Sequence, residues 1–223
     1  MDSPASLTDQ TPRQSKRQPL VEAAVALVVF CALSVLSRFV GLMFVVVVLG
    51  AIAFPLAWAR LTRDWAAIGF TQRNLGAAVG WGLAAGLPVA AVIWFTTEHK
   101  ASPLLLVQLA VGVPIWMLIM SPFQELFFRG WLQPRFQAGL GRWPGLIVAS
   151  VSFALWHLCP PFEQAQIVPV ASLSGMLFTL GMGLLFGYAF ERTGNIVAPW
   201  LAHVMAGLTL VLTGSMTFVQ YVD

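Results

Sequence analysis

Four ionisable side chains stand inside long apolar stretches of the sequence. They are Glu125 and Arg129 in Ser-Pro-Phe-Gln-Glu-Leu-Phe-Phe-Arg-Gly, His157 in Phe-Ala-Leu-Trp-His, and His203 in Trp-Leu-Ala-His-Val-Met. Ionisable groups at the depth of a bilayer are costly, so they normally face the interior of a helix bundle and mark a working site. Two histidines and a Glu–Arg pair on three separate segments are therefore candidate functional residues.

The spacing of these residues allows them to meet. Glu125 and Arg129 are four residues apart, so on a helix they share one face and can pair. Phe153 and His157 repeat this spacing, which places an aromatic ring beside the imidazole. At about 1.5 Å per residue, Glu125 and His157 lie roughly 18 and 20 Å from the same membrane face, and His203 lies roughly 12 Å from it. These depths overlap within the uncertainty of the helix ends.

Such a constellation supports three kinds of chemistry. In the first, the carboxylate or its neighbour, helped by His157, activates a water that attacks a peptide carbonyl, and His203 donates to the oxyanion. In the second, Glu125, His157 and His203 hold a zinc ion that activates the water. In the third, the residues form a proton relay in a transporter or channel. Pro122 would bend the helix near Glu125 and admit water.

The elements that must position these residues are membrane helices. The chain has 223 residues, of which 58% are hydrophobic and 9% charged, whereas a soluble domain carries about 25% charged residues. Lipid offers no partner to backbone polar groups, so long apolar runs must cross it as helices. The net charge of +3 does not indicate nucleic-acid binding, because the basic residues are spread between the predicted helices.

The apolar runs predict an all-α, polytopic bundle of about seven transmembrane helices, with eight as the alternative. The predicted segments are 20–37, 40–59, 75–96, 103–123 with a helical continuation, 144–159, 168–190 and 196–213. Residues 1–19 form a polar, disordered tail, residues 20–213 one multi-span domain, and residues 214–223 a short C-terminal tail. The glycine pairs Gly76/Gly80, Gly82/Gly86 and Gly183/Gly187 either let helix backbones approach closely or reflect only the high frequency of glycine in membrane helices.

The distribution of basic residues predicts a cytoplasmic N-terminus. With that orientation, every Lys and Arg except Arg38 and Lys100 falls on the cytoplasmic half, as the positive-inside rule requires. The two cysteines, Cys31 and Cys159, give neither a metal-ligand spacing nor a disulfide framework.

Three motifs resemble those of the CPBP intramembrane proteases, which include the CAAX prenyl endopeptidases and the Abi-type bacteriocin-processing proteins. They are Gln-Glu-Leu-Phe-Phe-Arg-Gly (124–130), Phe-Ala-Leu-Trp-His (153–157) and the segment from Gly-Tyr-Ala-Phe-Glu-Arg to Trp-Leu-Ala-His (187–203). The resemblance covers roughly residues 70–213. It implies a glutamate-dependent endopeptidase whose cavity opens within the membrane.

The family pattern is Glu-Glu-x-x-x-Arg, then Phe-x-x-x-His, then His-x-x-x-Asn or a similar residue. The resemblance assigns Glu125 to the second glutamate, Arg129 to the arginine, His157 to the first histidine and His203 to the second. In this family the first glutamate and first histidine activate water, and the last histidine and its Asn shape the oxyanion pocket.

Two positions depart from this pattern. Gln124 occupies the position of the first glutamate, and an amide cannot act as a general base at neutral pH. Gly207 occupies the Asn position and has no side-chain donor. Either Glu125 supplies the base, or the chain is a catalytically impaired relative or an engineered Glu→Gln form.

The sequence therefore predicts an intramembrane endopeptidase that cleaves a membrane-tethered or lipid-modified tail. The alternative is a pseudoprotease, or a membrane transport or binding protein. The predicted catalytic residues are Gln124, Glu125, His157 and His203, and the supporting residues are Arg129, Phe153 and Gly207. No cofactor is expected, with zinc as the alternative. The expected surroundings are membrane lipids and a tethered peptide or protein substrate, with no nucleic acid, in a bacterial inner membrane.

Overall fold

The computed structural model describes residues 17–100, 102–159 and 172–219. Within these ranges the chain is helical and contains no β-strand. The helices are α1 Arg17–Leu36, α2 Leu42–Thr62, α3 Leu75–Thr96, α4 Leu105–Leu140, α5 Arg142–Trp156, α6 Leu173–Thr193 and α7 Val197–Leu212. A short 3-10 turn, Ala66–Ile68, lies between α2 and α3. The predicted all-α class is confirmed.

Five of the described helices, α1, α2, α3, α4 and α6, are long and apolar enough by length and composition to cross a membrane. The chain is an integral, multi-pass membrane protein. Helices α5 and α7 have only 15 and 16 residues, which at about 1.5 Å per residue is shorter than the ~30 Å hydrocarbon layer. The helices follow the seven predicted segments in order, whereas seven crossings and a cytoplasmic N-terminus stay predictions.

Two predicted boundaries are wrong. Helix α1 already begins at Arg17, inside the predicted tail, because Pro19 lies in the first helical turn, where proline is tolerated. Helix α5 ends at Trp156 rather than at residue 159. The sequence continues with Pro160-Pro161, and the helical conformation is disfavoured before a proline. Residues 1–16, 168–171 and 220–223 of the predicted tails and sixth helix lie outside the described residues.

Helix α4 contains two π-helical turns. Residues Trp116–Met120 and Leu126–Leu132 form π-helical turns, and the α-helical segment Ser121–Glu125 separates them. Pro114 and Pro122 flank the first π-helical turn. Because a proline has no N–H to donate and clashes with the carbonyl four residues earlier, regular α-helical bonding is interrupted there, and a wider turn replaces it. Pro122 lies next to a local widening of the helix, and the predicted bend and entry of water stay predictions.

Two clusters of buried side chains form the core. The first joins α1, α2, α4 and α5 and is rich in aromatic residues, including Phe30, Phe123, Phe127, Phe128, Phe153 and Trp156. The second joins α3, α6 and α7, mainly through small residues. Helices α4 and α7 belong to different clusters, so side chains that connect these two helices also connect the two halves of the core.

Two of the three predicted glycine pairs lie in tight helix contacts. A methyl group at Gly86 would lie 2.9 Å from Ala202 Cα on α7, and one at Gly82 would lie 2.9 Å from a backbone oxygen of the same helix. Gly183 lies in similarly close contact with Ser150 of α5, and Gly187 with Gln133 of α4. The Gly76/Gly80 pair has open space around it, so this predicted contact is wrong for the described helices.

Candidate active site

A buried ion-pair cluster joins α4 to α7. Glu125 Oε1 lies 2.6 Å from His203 Nδ1 and 3.2 Å from Arg129 Nη1. The exposed fractions of Glu125, Arg129 and His203 are 0%, 2% and 4%. The predicted pairing of Glu125 with Arg129 and the predicted approach of His203 are confirmed by these distances.

Aromatic rings enclose this cluster. The Arg129 guanidinium carbon lies 3.9 Å from the centroid of Phe153 and 5.7 Å from that of Phe186. The imidazole of His203 lies 5.6 Å from the ring of Phe186 and 6.2 Å from that of Phe153. On its remaining side, the indole of Trp116 lies 5.8 Å away. In such an apolar enclosure, the Arg129 guanidinium compensates the Glu125 carboxylate, so neither charge is buried alone.

His157 directly follows α5 and lies beside the aromatic enclosure of the cluster. Its Nδ1 lies 2.8 Å from the carbonyl oxygen of Phe153, and its ring lies 4.5 Å from the Phe153 ring. A carbonyl oxygen only accepts, so Nδ1 donates, and in the neutral ring the lone pair is on Nε2. His157 also interacts electrostatically with His203 and Arg129. Phe153 is thus the ring that His157, Arg129 and His203 share.

The tautomer of His203 follows from its partner. The ionised carboxylate of Glu125 only accepts hydrogen bonds, so His203 Nδ1 donates to it. The opposite nitrogen, Nε2, then accepts when the ring is neutral and donates when the ring is protonated.

Several buried polar atoms of this region have no hydrogen-bond partner among the described residues. On α4, the indole nitrogens of Trp116 and Trp131 are two such atoms. The others on this helix are Ser121 Oγ, Gln124 Oε1, Glu125 Oε2 and Arg129 Nη2. Buried polar atoms are nearly always paired with protein groups or with ordered water. The latter four atoms lie on about two turns of one helix, and they include both acceptors and a donor. The arrangement therefore fits water molecules or a polar ligand such as a peptide group.

The two departures from the family pattern are buried beside this cluster. Gln124 immediately precedes Glu125 and is 2% exposed. Gly207 lies one turn beyond His203 on α7, and a Cβ at this position would overlap the indole of Trp116. The side chain of Trp116 therefore occupies the space into which a larger residue at position 207 would extend.

The three predicted zinc ligands do not fit a metal ion. In the part of the chain that the structure describes, no group of three His, Cys, Asp or Glu side chains is close enough to hold one. The alternative requires Glu125, His157 and His203 around a single ion, yet His203 Nδ1 already donates to Glu125 Oε1. The side chains are arranged as an ion-pair network instead.

A separate apolar groove lies on another face of α4. It has a volume of about 730 Å³ between α1 and α2, and Phe127 and Trp131 form its wall on the α4 side. Glu125, Arg129, His157 and His203 are absent from its lining. The groove and the ion-pair cluster are therefore two distinct features of the described structure.

Two residues of the enclosure are not recognisable from the sequence. Trp116 lies in the long apolar run before the first motif, and Phe186 lies just before the third motif; neither has a spacing that distinguishes it from a core aromatic residue. The only sequence signal for Trp116 is indirect. Gly207 leaves an empty space beside His203, and some other side chain has to fill it.

Comparison with known proteins gives one match. Residues 100–209 match the family model described as type II CAAX prenyl endopeptidase Rce1-like. The matched range includes every residue of the ion-pair cluster and of its aromatic enclosure, whereas α1, α2 and α3 lie outside it. No curated protein and no solved structure matches the chain significantly.

Proposed function

Since this chain belongs, through residues 100–209, to the CPBP family of CAAX-type membrane proteases, we propose that it cleaves a membrane-tethered or lipid-modified peptide tail. The observation that carries this proposal is the 2.6 Å contact between Glu125 and His203. It joins residues from two separate motifs at a buried position. Unpaired polar atoms beside it offer a place for water and a peptide group.

In the proposed reaction, a bound water attacks the peptide carbonyl carbon while His157 Nε2 takes its proton. The carbonyl electron pair moves onto the oxygen, which accepts a hydrogen bond from Nε2–H of protonated His203. Glu125 orients His203 by accepting the hydrogen bond from Nδ1. When the C–N bond breaks, the leaving nitrogen takes the proton back from His157, so the enzyme returns to its starting state.

Gln124 limits this mechanism. Its amide oxygen can accept a hydrogen bond from the attacking water, but it cannot take the proton. His157 is then the only base in the proposed reaction, and slow turnover is expected. The second candidate function follows from the same residue: a pseudoprotease that binds a tail without cutting it.

The proposed setting is a bacterial inner membrane with the N-terminus on the cytoplasmic side. The support for this orientation is the concentration of Lys and Arg residues in the predicted cytoplasmic loops. No metal is invoked, and the proposed cleavage should continue in the presence of a chelator.

The test is cleavage of a fluorogenic peptide with a prenylated C-terminal tail by the purified protein in lipid vesicles. We expect His157→Ala to lower kcat by about 10²-fold or more, and His203→Ala to lower it by about 10²–10³-fold. The matched control is Glu22→Gln. It removes the other carboxylate that pairs with an arginine of α4, Arg135, at 3.2 Å, and should leave cleavage unchanged.

The outcomes separate the candidate functions. Cleavage that survives unchanged in both histidine variants would remove the proposed site. Saturable binding of the tail without any cleavage would identify the pseudoprotease.

A further inference from the structure

Trp116 fills the space that Gly207 leaves beside His203. The three side-chain atoms nearest to a Cβ at Gly207 are Cδ2, Cε2 and Cε3 of Trp116, all within overlap distance. Any side chain at position 207 would therefore collide with this indole. Trp116 opens the first π-helical turn of α4, Trp116–Met120, and its ring lies 5.8 Å from that of His203.

The hydrogen-bond donor of this indole is buried and unused. Nε1 is bonded to Cε2, one of the atoms in closest approach to position 207, so the N–H lies within one bond of that contact. The atom is buried, and none of the described residues accepts from it. An indole N–H can only donate, so it requires an acceptor that the described protein does not provide.

Two other tryptophans have an acceptor for the indole N–H. Trp200 Nε1 donates to the backbone oxygen of Met117 at 2.9 Å, and Trp156 Nε1 donates to Ser34 Oγ at 2.9 Å. Met117 lies in the same π-helical turn as Trp116, so backbone acceptors are accessible in this region. A donor that is left open beside the ion-pair cluster is consistent with a group reserved for a ligand.

We propose that Trp116 donates its indole N–H to the carbonyl oxygen of the bound peptide, as the second oxyanion donor beside His203. This inference rests on the proposed function. As water attacks and the carbonyl electron pair moves onto the oxygen, that oxygen accepts from both His203 Nε2–H and Trp116 Nε1–H. The indole proton stays on nitrogen throughout. Trp116 thus supplies, from α4, the donor that a side chain at position 207 of α7 would otherwise provide.

The first test compares Trp116→Phe with the wild-type protein in the vesicle assay. Phenylalanine keeps an aromatic ring but removes the N–H, so kcat should fall by about 10²-fold with little change in KM. Trp131→Phe is the matched control. Trp131 is the other described tryptophan with a buried, unpartnered indole, but it lines the separate groove, and its loss should leave kcat unchanged.

A rescue variant distinguishes a donor from a packing residue. Trp116→Ala combined with Gly207→Asn removes the indole and places an amide donor in the same space. We expect this double variant to recover at least part of the kcat that Trp116→Ala alone loses. Equal kcat for wild-type and Trp116→Phe would overturn the proposal while the proposed function stands.

A readout independent of turnover covers the case in which the wild-type protein does not cleave. With ¹⁵N-indole labelling, the Trp116 resonance is identified by its absence from Trp116→Phe. Addition of a tail peptide that ends in an aldehyde should move this resonance downfield. A shift without cleavage would contradict the proposed hydrolysis but support the donor, and a resonance that does not move would overturn the donor.

Discussion

At the scale of single residues, the site has several hydrogen-bond donors but few groups that can take a proton from water. Glu125 Oε1 is shared between Arg129 and His203, so in this carboxylate only Oε2 has no described partner. Gln124, the neighbouring residue, is an amide. The residue most directly available to accept a proton is His157, whose Nδ1 is held by the carbonyl oxygen of Phe153.

Restoring a carboxylate at position 124 should accelerate cleavage. Gln124→Glu adds a second base beside the attacking water, and general-base catalysis contributes about 10²-fold or more. We expect a gain of this order in kcat, measured on the prenylated fluorogenic tail in vesicles. Gln124→Met is the control, because it has similar length without a carboxylate or an amide oxygen. An equal rate for Gln124→Glu and wild type would show that position 124 does not contact the reacting water.

The contacts within the cluster were predictable to different degrees. The Glu125–Arg129 pair follows from helical periodicity alone, because residues four apart share a face. The approach of His203 to Glu125 follows less directly, because it depends on the estimated depth of each residue in the membrane. Trp116 could not be predicted, since its position depends on a π-helical turn and on the missing side chain of Gly207. The catalytic roles of these residues are still predictions.

At the scale of helices, close approach depends on which glycines face a neighbour. Gly86 of α3 lies against α7, and a methyl group there would come within 2.8 Å of Met205 Sδ and 2.9 Å of Ala202 Cα. Gly80, on the same helix, has no atom within 4 Å of its Cβ position. The two glycines share a helix and differ in surroundings, which makes them a matched pair.

Alanine substitutions at these positions should have opposite effects on stability. Gly80→Ala should stabilise the fold by up to about 1 kcal/mol through helix propensity. Gly86→Ala should destabilise it by about 1–3 kcal/mol, because overpacking separates α3 from α7. Denaturant unfolding of the detergent-solubilised protein measures both. Changes of the same sign would show that α3 and α7 do not pack through Gly86.

The order of the helices was predictable because each apolar run is longer than the apolar stretch of a typical soluble core helix. Helix ends were less accurate: α1 extends into the polar tail, and α5 ends before the proline pair. The π-helical turns of α4 were not predictable. A proline signals that α-helical bonding is interrupted, but whether the helix kinks or widens depends on the side chains packed around it.

At the scale of the whole molecule, α1 is attached to the helices that carry the site although it lies outside the matched family range. Phe30 of α1 lies 4.3 Å from the ring of Phe127 on α4 and 5.1 Å from that of Trp156 on α5. Toward the start of α1, Arg135 Nε lies 3.2 Å from Glu22 Oε2. These contacts extend along the length of α1, so α1 supports both α4 and α5.

The two cysteines of the chain provide a direct test of this arrangement. Cys31 lies on α1, Cys159 follows α5, and both pack against the same buried cluster; both are free. A disulfide between them requires Cα atoms within about 7 Å. We expect mild oxidation with copper phenanthroline in membranes to link them within one chain. A single crosslinked peptide in mass spectrometry and a monomer band on a non-reducing gel would report this link, and Cys31→Ser should abolish it. If oxidation yields only dimers of the chain, or leaves both thiols open to alkylation, α1 does not lie beside the end of α5 in the membrane.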